Sequence, residues 1–187
     1  AEHVVDAGLD LTALRTELSK IEIGGYTLRA EKAGQHGIHG TRVRVDVTED
    51  VHSRTWGDIR ALIEASGLDA PVKDAALSIF ERLAIAEAKI HATTPDDVHF
   101  HEVGGVDAIV DICGACIGLA FLGIDAVMCG PLQMGHGFAN SAHGTIPVPA
   151  PATLELVATA NAPAAKPTKL IAETPAELLT PTGAAIL

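Results

Sequence analysis

Val106-Asp107-Ala108-Ile109-Val110-Asp111-Ile112-Cys113-Gly114-Ala115-Cys116-Ile117-Gly118-Leu119-Ala120-Phe121-Leu122 is apolar almost all the way round a helical wheel. A helix of that kind is stable only inside a protein, so the rest of the chain must supply its coat. One narrow line breaks its apolar surface. Asp107, Asp111, Gly114 and Gly118 fall at i, i+4, i+7 and i+11, which puts two carboxylates and two positions without side chains on one face. Something polar can approach that face closely.

The coat is legible on both sides of this helix. Leu9 and Leu11, then Leu14, Leu18 and Ile21 at steps of three or four residues, predict an amphipathic helix over 9–21. Thr55 to Ser66 and Val72 to His91 predict two more; in the second, Val72, Ala76, Ile79, Phe80, Leu83, Ala86 and Ile90 form the buried stripe. Gly67 closes the first of these and Pro71 opens the second. Tyr26 to Ala33 and Thr41 to Val47 alternate apolar and polar residues around a turn-rich Gly34 to Gly40, the pattern of a hairpin. Beyond the apolar helix, Asp125 to Cys129 reads as a buried strand and Pro131 to Ala142 as a Gly-rich extended segment. Pro147 to Pro151 reads as stiff polyproline-like chain, leading into a short helix over Ala152 to Ala158. An Ala/Pro connector, Ala162 to Pro167, precedes a last strand and turn over Lys169 to Thr182. The fold class is α/β: a small mixed sheet covered by helices, one domain over residues 1–187. Both ends read as helix, which makes the chain a fragment of a longer protein.

Composition narrows the function. With 48% hydrophobic residues among 187, the chain can bury one sizeable core, and with only 3% aromatic residues that core is built from Ala, Val, Ile and Leu. Thirteen Lys and Arg against 24 Asp and Glu give a formal charge of −11. From His91 onward the only basic side chains besides His are Lys166 and Lys169. Such a surface repels nucleic acid and anionic membranes and attracts cations. No apolar run reaches the roughly 20 residues that span a bilayer, and the start lacks a signal-peptide pattern, so the expected location is cytoplasmic. Cys113, Cys116 and Cys129, an odd number, make no disulfide framework. Cys113 and Cys116 form a lone CxxC with no second pair, and mid-helix they read as small packing residues.

The residues that can carry chemistry cluster between His99 and His143. In His99-Phe100-His101-Glu102 an extended backbone points both imidazoles to one side, whereas a helical turn brings His99 beside Glu102. Either arrangement can hold a divalent ion of the Zn, Ni, Fe or Mn type; the plain alternative is a pair of surface histidines. Asp107 suits the first turn of a helix. Asp111 lies one turn further into apolar sequence, where a carboxylate must be paired, protonated or bound to a cation. Gly135-His136-Gly137 and Ala142-His143-Gly144 each set a His between small residues, where backbone can approach a ligand. Thr180-Pro181-Thr182-Gly183 at a helix start offers amides and hydroxyls to a phosphate.

Taken in order, His99-Phe100-His101-Glu102-Val103-Gly104 with Val106-Asp107 and Val110-Asp111, Ala142-His143-Gly144-Thr145-Ile146-Pro147-Val148-Pro149-Ala150-Pro151-Ala152-Thr153-Leu154-Glu155-Leu156, and Leu179-Thr180-Pro181-Thr182-Gly183-Ala184-Ala185 resemble the LarC nickel-insertion family. The likeness runs from about Ala7 to the end. It implies a CTP-dependent cyclometallase that inserts Ni(II) into pyridinium-3,5-bisthiocarboxylic acid mononucleotide, completing the nickel-pincer cofactor of lactate racemase. On that resemblance His99, His101, Glu102, Asp107 and Asp111 are metal candidates, and His101 and Glu102 are also catalytic candidates that accept a ring proton. His136, His143, Thr180, Thr182 and Gly183 would face the mononucleotide precursor. CTP, with its divalent cation, would bind the C-terminal half expected after Leu187, which becomes a partner of this domain, and the resemblance leaves room for a homo-oligomer. Two other classes use the same residue types: a non-catalytic nickel-binding and delivery module, and a metal-dependent hydrolase.

Overall fold

In a computed structural model the described residues are 2–35, 37–48, 54–100, 104–141, 144–165 and 175–187. The elements in chain order are α1 (Glu2–Asp6), α2 (Leu11–Leu18), β1 (Tyr26–Gln35), β2 (Ile38–Val47), β3 (Arg54–Thr55), α3 (Trp56–Ala65), α4 (Ala70–His91), β4 (His99–Phe100), α5 (Val106–Phe121), β5 (Gly135–Ser141), β6 (Gly144–Val148), α6 (Pro151–Thr159), β7 (Ala176–Glu177) and α7 (Pro181–Ile186).

The apolar helix is at the centre. α5 touches α1, α2, α4, α7 and β2, and its residues from Ala108 to Gly118 are buried apart from Asp111. Leu14 and Leu18 of α2, Phe80 and Leu83 of α4, and Ile109 and Ile112 of α5 are fully enclosed in one continuous core. Three of the six aromatic residues meet at one corner of it. Trp56 stacks on Phe80 with ring centroids 6.5 Å apart, and Phe80 meets Phe100 at 6.4 Å, which ties α3, α4 and β4 together. The helix ends follow local chemistry. Thr55 and Asp58 form a reciprocal capping box at the start of α3, and Asp10 caps α2 by accepting from the Thr12 and Ala13 amides.

The α/β class is as the sequence predicts, and the strands form three small sheets among the described residues. β1 pairs antiparallel with β2 from Tyr26↔Val47 to Gln35↔Ile38, β3 with β4 over two residues each, and β5 pairs antiparallel with both β6 and β7. The parallel component of the expected mixed sheet is a single bridge, Leu132↔Ala164. Hairpins close with a few residues, whereas a parallel ladder needs a long crossover, and here the long connections are spent on helices that wrap α5. The hairpin also extends further than the alternation predicts, because its pairing continues through Gly34↔His39.

One expectation is overturned. Asp125 to Cys129 is not a buried strand: Gly123, at φ 63°, turns the chain out of α5, the segment from Ile124 to Gly130 has no regular structure, and Met128 is 96% exposed. Its apolar residues satisfy the strand pattern, but no described strand lies beside it to make the ladder. Gly118 on the α5 line has a structural use as well. A Cβ at Gly118 would lie 2.4 Å from Cβ of Val4, so the bare backbone there is the seat of α1, which is also tied to β2 by the Thr41 amide donating to the Asp6 carboxylate.

Cys113 and Cys116 are buried in α5 and Cys129 is exposed. Burial pushes the Cys113 thiol up to about 12 and the Cys116 thiol up to about 11, so both stay protonated and inert at neutral pH. They are packing residues, as the sequence indicates.

Two outcomes follow from this packing. Gly118→Ala should lower the urea midpoint, because overpacking costs about 1–3 kcal/mol against a helix-propensity gain of at most about 1 kcal/mol. Adding Val4→Ala should not restore it, since the nearest atom is the Cβ that Ala keeps; a midpoint that rises with Gly118→Ala alone would mean α1 does not sit there. Thiol titration of the folded protein should find Cys129 reacting fast, and Cys113 and Cys116 reacting only when denaturant is added. Three equally fast thiols would contradict the burial of α5.

Candidate functional site

The coat of α5 is open at its C-terminal end, where Ala120 and Phe121 are exposed, and again in its N-terminal half, where the open positions are carboxylates. Gly105 stands at its N-cap, and the residue before it, Gly104, passes so close to β4 that a Cβ would lie 2.6 Å from the Phe100 carbonyl oxygen. Arg54 donates to the Gly104 carbonyl at 3.2 Å and holds this joint. From it, Asp107 and Asp111 project into a cleft of about 310 Å³. The cleft is completed by Ala139, Asn140 and Ser141 of β5, Ile146 to Val148 of β6, Glu177 of β7, and Thr180, Pro181 and Thr182 at the start of α7.

Each wall is fixed by its own local chemistry. β5 is drawn against β7 by Gly135, at φ 83°, where a Cβ would lie 2.0 Å from the Ala176 carbonyl oxygen. Gly137 meets the Pro175 side chain in the same way, at 2.9 Å. The close approach that Gly135-His136-Gly137 permits is therefore used for strand packing, and His136, paired with Ala176, is not among the residues lining the cleft. At the far wall the buried Thr153 hydroxyl of α6 donates to the Leu179 carbonyl at 3.4 Å and positions the start of α7. Thr180 then caps that helix: its hydroxyl oxygen accepts from the Gly183 amide at 3.1 Å and its carbonyl from the Ala184 amide at 2.9 Å. Pro181 has no N–H, so of the amides expected to greet a phosphate, the Thr182 N–H is the one these bonds leave over.

The electrostatics are one-sided. Every charged side chain among the described lining residues is a carboxylate: Asp107, Asp111 and Glu177. The neutral polar groups are oriented by neighbours. Thr145 donates to the Asn140 side-chain oxygen at 3.3 Å, and Ser141 donates to the Gly144 carbonyl at 3.1 Å. Ile146, Pro147, Val148, Ala108 and Ala150 give the cleft an apolar surface beside its acidic one.

Of the residues expected from sequence, the fold brings together Asp107, Asp111, Thr180 and Thr182, with Gly183 held to Thr180. It sets His99 elsewhere: on β4, paired with Thr55, at the capping box of α3, where its charge helps hold the Asp58 carboxyl below its ordinary value after the larger effect of the Thr55 hydrogen bonds. His101, Glu102 and His143 lie outside the described residues. Among the described residues no three His, Cys, Asp or Glu side chains gather in a group that could hold a metal ion. Asn140, Ser141 and Glu177 line the cleft without having been singled out from the sequence. The first two directly precede Ala142-His143-Gly144, which is the only hint of them, and Glu177 carries no local signal at all.

The chain was compared with known proteins. No solved structure matches it. The proteins named pyridinium-3,5-bisthiocarboxylic acid mononucleotide nickel insertion protein of Desulfitobacterium hafniense strain DCB-2 and of Akkermansia muciniphila are each 47% identical to it, over 184 and 197 residues. The protein of the same name from Nocardioides sp. is 42% identical over 184 residues. Each alignment covers 98% of this chain and 44%, 46% and 45% of the respective relative, so the chain spans less than half the length of these curated relatives. The sequence profile described as nickel insertion protein matches residues 3–187. With its cleft acidic and its match running through every element described, the chain belongs to the nickel insertion protein family.

Proposed function

We propose that the protein to which this chain contributes inserts Ni(II) into pyridinium-3,5-bisthiocarboxylic acid mononucleotide, and that the cleft on α5 is where the precursor meets the metal. The observation carrying this reading is the convergence of Asp107 and Asp111 with Thr180 and Thr182, which come from separate segments that share the family pattern. Insertion forms a carbon–nickel bond as the ring carbon loses a proton, so the site must hold a dication, orient the ring and accept that proton. Two aspartates one helical turn apart supply negative charge for the ion. His101 and Glu102, just ahead of α5 in sequence, are assigned as nickel ligands and proton acceptors. His99, two residues earlier on β4, is the outlying member of the metal set, and His136 and His143 are assigned to the precursor.

The same reading makes the reaction CTP-dependent, with CTP and its divalent cation bound by the part of the relatives' length that this chain does not cover. The product is the nickel-pincer cofactor of lactate racemase, the reaction class is that of a lyase acting as a chelatase, and the location is the cytoplasm. Two features support the location: no helix among the described residues is long and apolar enough to cross a membrane, and the three cysteines are free. A homo-oligomer is compatible with this scheme.

Equilibrium dialysis against Ni(II) with metal analysis tests the site. His101→Ala/Glu102→Gln should abolish tight binding, and Asp111→Asn should weaken it by about 10–100-fold, the usual effect of removing a supporting carboxylate. His99→Ala, read separately, decides whether β4 reaches the ion. Nickel binding that none of these variants alters would remove the assignment. Tight nickel binding with no retention of the precursor would make this a delivery module, and turnover of simple phosphoesters would make it a hydrolase.

A further inference from the structure

We infer that residues 124–130 are the docking edge for an apolar β-strand supplied by the part of the protein outside these 187 residues. The inference is independent of the reading of the cleft, since the segment leaves α5 at the end opposite Asp107 and Asp111.

The side chains call for a cover. Ile124-Asp125-Ala126-Val127-Met128-Cys129-Gly130 carries one charge, and extended backbone sets Ile124, Ala126 and Met128 on one face and Val127 and Cys129 on the other. A segment apolar on both faces has the composition of a strand inside a sheet that is covered on both sides. Here it faces water. Ile124, Val127 and Met128 are 41%, 53% and 96% exposed, and Phe121, at the end of α5 beside them in sequence, is 61% exposed. Large apolar side chains exposed along one short stretch mark a surface that other polypeptide covers. The backbone decides the kind of cover. The Ile124 amide donates to the Leu119 carbonyl at 2.9 Å, but among the described residues the main chain of 125–130 makes no hydrogen bond to other main chain. Water satisfies these groups while the segment is exposed. A helix laid over it would remove that water and leave them unpaired, which buried backbone does not tolerate. A strand added at the edge covers the side chains and pairs the backbone at once.

The next residues show which edge is open. Leu132 bridges Ala164 in parallel: its amide donates to the Pro163 carbonyl and its carbonyl accepts from the Ala165 amide, both at 2.8 Å. Main-chain groups alternate between the two edges of a strand, so Ala126, Met128 and Gly130 share the Ala164 edge and Asp125, Val127 and Cys129 take the other. On the Ala164 side the residues next in line are Ala160, Asn161 and Ala162. They are spent on closing α6, with their amides donating to the Leu156, Ala158 and Val157 carbonyls. The Val127 edge has no described strand beside it and is the one that takes the incoming strand. The relatives have the length to supply it, because more than half of each lies outside the stretch matched by this chain. A strand apolar on both faces belongs inside one folded unit, which favours the protein's own remaining length over a separate partner.

Cys129, exposed on this segment, is a built-in reporter. Its reaction with a maleimide, and hydrogen exchange at residues 125–130, can be followed in the chain alone and in the complete protein to which the chain contributes. In the chain alone the thiol should react as fast as in denaturant and the amides should exchange without protection. In the complete protein the thiol and the Val127 and Cys129 amides should slow by about a hundredfold or more, because a paired strand exchanges only through sub-global opening. Val127→Pro, which removes one donor from the docking edge, should leave the urea midpoint of the chain alone unchanged and lower that of the complete protein. A slow thiol beside freely exchanging amides would show a cover that is not a strand. Protection that appears in the chain alone as its concentration rises would make a second copy the occupant, and a fast thiol in the complete protein would show no cover. Each of these three results overturns the inference.

Discussion

The whole arrangement depends on hiding α5. Sixteen residues, nearly all apolar, have to be removed from water on every side, and neither a single sheet nor a single helix can do that. α1, α2, α4 and α7 surround it, and the long β1–β2 hairpin leans on the same helix through β2. A coat assembled from so many elements has a seam where they fail to meet. Besides the exposed C-terminal end at Ala120 and Phe121, a seam falls at the N-terminal end of α5, where the exposed Asp107 and half-buried Asp111 replace apolar residues. The cleft is therefore a consequence of packing as much as of chemistry: the carboxylates are tolerated because the coat stops there, and the coat stops there because carboxylates cannot be enclosed unpaired.

Glycine illustrates how the same sequence signal serves different physical ends. Gly118 on the α5 line is the seat of Val4, and Gly135 lets β5 lie against the Ala176 carbonyl. Gly104 lets the chain cross the Phe100 carbonyl on its way into α5. In each case the missing side chain is replaced by another part of the protein. Small residues beside a His or an Asp look like space for a ligand, but a tightly packed interior uses that space first. At this site the opening lies among residues with ordinary side chains: Asn140, Ser141, Ile146 and Thr182.

This explains what could and could not be read from the chain. The helices were legible because burial on one face repeats every three or four residues and leaves a stripe; Val72, Ala76, Ile79, Phe80, Leu83 and Ala86 are buried in α4 as that stripe requires, whereas Ile90, expected as its last member, is 40% exposed at the end of the helix. The hairpin was legible from its alternation. Asp125 to Cys129 was misread because an apolar run reports only that a segment could be a strand, and a strand exists only with a neighbour to pair with. The number and order of the sheets was hidden for the same reason. At the site, Asp107 and Asp111 stood out because carboxylates interrupt an apolar helix, whereas Glu177 is a single acidic residue between Ala176 and Leu178 and becomes notable only when β7 is drawn to β5. Sequence proximity also misled. His99 is eight residues from Asp107, yet the joint at Gly104 and the pairing of His99 with Thr55 send the two to different surroundings.

The remaining asymmetry is electrostatic. The charge of −11 is spread unevenly, and two ion pairs lie across the hairpin, where Arg29 pairs with Asp46 and Arg44 with Glu31. These bonds hold Asp46 and Glu31 below their ordinary carboxylate values, but between exposed groups they are screened and contribute little to stability. At the cleft the situation differs, because the described lining contains carboxylates and no basic side chain to neutralise them. A concave surface of one sign concentrates ions of the other sign. The described lining of that surface carries Asp107, Asp111 and Glu177, so its sign is the one that suits a dication, the kind of ion the family is named for inserting.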